Sequence, residues 1–179
     1  MSLLQANIIT GLLFLLFGLL LTLKTSAAIP WLVNFPRSKS CSFWFVSFAT
    51  LFFLVRHVLY LSEADFGNYK LMIGGLAIGV ACLSFIFVSD FLSVRGLSMI
   101  LLLYSREVLD AAFLQEPATR VILVVIIYFI IAVGLYFGAW PYRMRDMLEW
   151  MVKKQKRFKL LGFTFSLIGL LLLALSATY

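Results

Sequence analysis

Histidine occurs once in this chain, at position 57, and cysteine only at positions 41 and 82. A single histidine excludes bis-histidine haem ligation within the chain and the HExxH zinc site, and leaves none to spare for a Ser-His-Asp set. Cys41 and Cys82 match no metal or redox spacing, and Cys82 falls inside an apolar run, where a thiol packs as a small hydrophobe. There is no glycine-rich phosphate loop and no paired-aspartate motif to hold magnesium. No metal and no cofactor is expected. Charge is also scarce, at 13% of the chain against about 25% in soluble domains. No Lys or Arg precedes Lys24, which argues against a cleaved secretory signal despite the small residues at Ser26, Ala27 and Ala28. The first apolar run therefore reads as a retained helix.

What fills the chain is apolar surface. Hydrophobic residues make up 63% of it, against roughly 45–50% in soluble proteins. Four runs carry no charged side chain at all: Met1 to Leu23, Leu71 to Ser89, Val121 to Tyr142 and Leu160 to Tyr179. Each is long enough to cross a hydrocarbon core of about 30 Å as a helix rising about 1.5 Å per residue. Two interrupted runs join them, one around Arg56 and His57, the other around Arg106, Glu107 and Asp110. The expected fold is all-α, a single polytopic membrane domain over 1–179. Its bundle of six transmembrane helices lies near 7–23, 41–61, 71–89, 96–114, 121–141 and 160–178.

The net charge of +7 belongs to the connections, which makes it a topology signal, and no nucleic-acid partner is expected from it. Odd-numbered loops hold eleven Lys and Arg, beginning with Lys24, Arg37 and Lys39, and even-numbered loops hold two, Lys70 and Arg120. The positive-inside rule then places both termini on the non-cytoplasmic side of a cell membrane, with a bacterial inner membrane as the default. Trp31, Trp44, Trp140 and Trp150 flank the first and fifth loops, where amphipathic rings settle at an interface. In the fifth loop Met144, Met147, Leu148 and Met151 recur at helical spacing opposite Arg145, Asp146, Glu149 and Lys153. A short cytoplasmic amphipathic helix over 142–155, lying in the membrane surface, is expected. The basic run Lys153, Lys154, Lys156, Arg157 and Lys159 would then meet anionic lipid headgroups.

Small residues mark close packing. Gly75 with Gly79 and Gly134 with Gly138 are GxxxG pairs, expected to pack within the bundle, while Gly11 with Gly18 and Gly162 with Gly169 stand two turns apart. That shared spacing also hints at a duplicated helix pair.

Charges inside a membrane are expensive and must be partnered. If the fourth span starts at Gly96, Arg106 lies near the bilayer midplane, with Asp110 on the same face as an i,i+4 partner. Glu107 points about 100° away and needs a different neighbour, for which the second helix is the natural candidate; one arrangement sets Glu107 or Asp110 against Arg56, with Tyr60 and Tyr104 supplying hydroxyls and Glu63 near the outer end. The cluster Arg56, His57, Arg106, Glu107 and Asp110 supports three readings. It is a structural network in an accessory or scaffold subunit packed on other membrane proteins. Alternatively it is the site of a small transporter or channel for an anionic or proton-coupled solute. The third and weakest reading is an intramembrane lipid-modifying enzyme drawing on Ser105 beside the charges. The first predicts no water path to the charges; the second predicts a cavity.

Overall fold

In a computed structural model, which describes residues 1–23, 25–62, 66–88 and 90–178, the chain is all-helical, with no strand among the described residues. Lys24, Glu63, Ser89 and Tyr179 lie outside the described residues. The helices are α1 (Leu3–Leu23), α2 (Thr25–Asn34), α3 (Lys39–Phe53), α4 (Lys70–Phe87), α5 (Leu92–Ala112), α6 (Arg120–Ala139), α7 (Pro141–Val152) and α8 (Gln155–Leu175). Local signals explain several starts. Ser2 and Gln5 form a reciprocal capping box, Ser38 Oγ accepts from the Cys41 amide, and Pro141 occupies the first turn of α7.

Among the described residues, five helices are long and apolar enough to cross a membrane: α1, α3 with its extension to Val58, the segment Gly67–Phe87, α6 and α8. The remaining expected span falls on α5. Its 21 residues reach about 31 Å, but it carries Arg95, Arg106, Glu107 and Asp110.

The centre of the bundle is the antiparallel pair α1 and α8. Gly11 opposes Gly169 and Gly18 opposes Gly162, and the backbones touch: a Cβ on Gly18 would lie 2.4 Å from Ser166 Oγ, and one on Gly169 would lie 2.5 Å from the Leu15 amide nitrogen. Asn7, fully buried, donates from Nδ2 to the Leu172 carbonyl at 2.6 Å across the same seam. Against this pair pack α5 and α6, whose Val108, Ala112, Leu123 and Ile127 meet Leu3, Ala6 and Leu172 in one apolar cluster. A second cluster, Leu21, Leu32, Leu148, Met151 and Phe158, closes the opposite end.

Several expectations need correction. The first loop is largely helical, since α2 and the turn Phe35–Arg37 occupy it. Ser93 ties that turn to α5 by donating to the Phe35 and Pro36 carbonyls at 2.7 and 2.8 Å. The amphipathic helix exists as α7, but Leu148 and Met151 are buried against the bundle with Met144 packed beside them, so much of its apolar face meets protein. Gly134 sits 3.7 Å from Leu101 and Leu102 on α5 and Gly138 3.4 Å from Ser98, ordinary helix contact for a Cβ placed there. Gly75 and Gly79 do not pack within the bundle, because a Cβ on either meets nothing within 4 Å among the described residues. The reason is that α4 lies at the periphery with none of its residues buried.

Candidate functional site

The ladder of α3 changes at Leu54. Residues Leu54–Val58 form a π turn, closed by the Leu59 amide donating to the Leu54 carbonyl at 3.0 Å. Such single-turn insertions are uncommon and recur at functional sites. The extra residue in the turn rotates everything after it relative to a continuing α-helix, and Arg56 and His57 sit within it. Beside it runs α5, parallel to α3. The two come close where a Cβ on Gly96 would lie 3.0 Å from Phe45 Cβ and 3.1 Å from the Val46 nitrogen. That approach brings the π turn level with the last two turns of α5.

All five predicted intramembrane residues meet there. Arg56, His57, Arg106, Glu107 and Asp110 line one cleft of about 400 Å³, completed by Met1, Tyr60 and Ala111. Its size is in the range of small-ligand sites. Arg56 grips Glu107 with both arms of its fork, Nη2 to Oε2 at 2.5 Å and Nε to Oε1 at 3.4 Å. The Glu107 side chain is only 14% exposed. Arg106 and Asp110 are paired far more loosely, by a single 3.9 Å approach, with side chains 63% and 72% exposed. The His57 ring lies 5.8 Å from that of Phe53 and 6.3 Å from that of Phe52. Its Nε2 is buried without a hydrogen-bond partner among the described residues.

The depth of the cluster differs from expectation. Because α5 begins at Leu92 rather than near Gly96, Arg106 lies six residues, or about 9 Å, from the end of its helix and not at the middle. Tyr104 is not in the cleft. Thr10 spends its hydroxyl hydrogen on the Ala6 carbonyl at 2.6 Å, so Tyr104 donates to Thr10 at 2.8 Å, tying α5 to α1 in the interior. Ser105 is fully buried and does not line the cleft, which leaves the charges without an adjacent serine nucleophile. Among the described residues no three His, Cys, Asp or Glu side chains are placed to hold a metal. Met1 and Ala111 carry no chemical signal in the sequence, and only the fold brings them to the cleft.

At the other end of the bundle the basic run splits. Lys153 and Lys154 lie at the joint between α7 and α8, Lys156, Arg157 and Lys159 on the first turns of α8, and all four lysines are exposed. Arg157 folds back instead, its guanidinium 3.9 Å from the Trp150 ring centre and its Nη1 donating to the Trp150 carbonyl at 3.4 Å. On the outer side of α7, Arg145 donates to Asp146 Oδ1 at 2.7 and 3.0 Å, and that bond holds the guanidinium proton above its ordinary affinity.

No protein-family model, curated protein or solved structure matches this chain.

Proposed function

We propose that the chain is a six-span membrane protein that admits a small charged solute to the cleft, as a small transporter or channel does. One observation carries this reading: the five ionisable side chains of two interrupted spans surround a single open cleft, with Arg106 and Asp110 largely exposed. A purely structural network would bury such charges against each other, because an ion left without water or a partner in a membrane costs on the order of several kcal/mol.

In this reading α5 is the sixth crossing, its four charges near its two ends. The bias of basic residues puts α2, the turn before α5 and the α7–α8 joint in the cytoplasm, and so the cleft on the outer face. Trp31, Trp44, Trp140 and Trp150, all exposed, then sit at the inner interface, and the four lysines after α7 meet anionic headgroups there. A bacterial inner membrane is the proposed setting.

The test is accessibility. In a background with Cys41 and Cys82 replaced by serine, Arg106→Cys and Asp110→Cys should react rapidly with a membrane-impermeant maleimide added outside, and Leu103→Cys, one turn deeper, more slowly. Complete protection of positions 106 and 110 would overturn the proposal.

A second reading, an accessory or scaffold subunit, is favoured by α4. Its open Gly75 and Gly79 face leaves room for a neighbouring helix's backbone. Bulky replacements there, Gly75→Leu with Gly79→Leu, would leave this chain folded yet abolish a stable complex with other subunits. If no complex is lost, that reading falls.

A further inference from the structure

The two ion pairs of the cleft are unequal, and their inequality selects among ligands. Arg56 and Glu107 are spent on each other through two bonds between helices, so they form a wall. Arg106 and Asp110 share one 3.9 Å approach and keep most of their hydrogen-bonding capacity free. A ligand that settles over this loose pair displaces water from both groups, since they are one turn apart on the same face of α5. An anion closing over Arg106 would leave Asp110 desolvated beside like charge. A cation closing over Asp110 would do the same to Arg106. Each would strand a charge, and a stranded charge is more costly than the pair it replaces.

Resting on the cleft as a solute site, we propose that its ligand is a zwitterion, with an anionic oxygen group for Arg106 and a protonated amine for Asp110. Binding exchanges one loose internal ion pair for two close external ones, and no charge is left over. A free amino acid has this chemistry, and so does the phosphoethanolamine headgroup of a lipid reaching in from the outer leaflet. Met1, His57 and the exposed Tyr60 complete the polar lining of the walls, with the His57 Nε2 itself turned inward and buried.

The experiment uses the full chain in nanodiscs, with Cys41 and Cys82 replaced by serine and Ala111→Cys as the reporter on the cleft wall. Tyr60→Cys serves as a second reporter should the first misfold. Maleimide labelling is timed in the presence of glycine, glycerophosphoethanolamine, acetate or methylamine; the glycerol diester keeps the single negative charge of the lipid headgroup, which the monoester would not. Glycine or glycerophosphoethanolamine should slow labelling at least about threefold, whereas acetate and methylamine, singly or mixed, should not. Protection by glycerophosphoethanolamine without glycine would identify the headgroup as the source, and protection by glycine the free solute. Arg106→Gln and Asp110→Asn should each abolish the protection, read in every variant as the ratio of its own labelling rates with and without ligand because a nearby charge also sets thiol reactivity, and Arg106→Lys should restore part of it.

Acetate or methylamine protecting as well as glycine would overturn the zwitterion while keeping a solute site of one charge. No protection by any of the four, with positions 106 and 110 still labelled rapidly, would overturn the zwitterion alone. No protection together with slow labelling of positions 106 and 110 would overturn the solute site itself.

Discussion

Arg56 and Arg106 are both guanidiniums facing carboxylates, yet their surroundings give them different work. Glu107 is mostly shielded and accepts both bonds from Arg56, so removing Arg56 takes from a poorly solvated carboxylate the counter-ion that hydrogen-bonds it. Arg106 and Asp110 are exposed, and their separation adds little to stability. We therefore expect Arg56→Leu to lower the melting temperature in detergent clearly more than Arg106→Leu, with Glu107→Leu restoring most of the loss in the Arg56→Leu background. Equal melting temperatures for the two single variants would show that the inter-helix clamp is not structural. Ser105 offers a contrasting case. Its hydroxyl is buried without a partner among the described residues, so Ser105→Ala should raise stability by about 1 kcal/mol in reversible unfolding, and a loss of that size would mean the hydroxyl is satisfied in the membrane.

Glycine stripes of similar appearance behave differently according to the helix facing them. On α1 and α8 the glycines face each other so closely that a side chain has nowhere to go, since a Cβ on Gly169 would meet backbone at 2.5 Å. Gly169→Ala should therefore destabilise the protein by about 1–3 kcal/mol, as overpacking of a tight interface does. On α4 the same change meets open space. Gly79→Ala should be neutral or stabilising by up to about 1 kcal/mol, because alanine favours the helix and nothing obstructs it. Thermal denaturation of the two variants side by side checks both, and an equal loss would mean that α4 is packed in the membrane. The amphipathic helix α7 shows the same dependence on neighbours. Its apolar stripe was as suited to lipid as to protein, and the presence of Leu21, Leu32 and Phe158 beneath it makes protein the partner.

For the molecule as a whole, the two apolar clusters lie at opposite ends of the α1–α8 pair, and the charges divide accordingly. The cleft opens at the end where α1 starts and α8 finishes, while the lysines after α7 stand at the other. The six crossings proposed above would put both termini on one side, so on that reading reporter tags at residues 1 and 179 should read out as external and one inserted at residue 154 as cytoplasmic. Termini on opposite sides would mean that α5 does not cross and that the cleft is not where the topology puts it.

The helical membrane class was legible in composition and run length, because a lipid environment demands helices of about twenty apolar residues whatever their neighbours are. That Arg56 would face a carboxylate of α5 was legible too, since a charge in an apolar run must find its opposite, but the choice of Glu107 over Asp110 was not. Other features could not be read this way. The start of α8 was hidden because cations on a first helical turn oppose the helix dipole, yet Lys156 and Arg157 sit there. The π turn at Leu54–Val58 has no residue signature, and it moves side chains by rotation, which a linear pattern does not record. Which glycines touch, which face of α7 is covered and which charges stay open to a ligand depend on distances between segments far apart in the chain. Those distances exist only once the helices have packed.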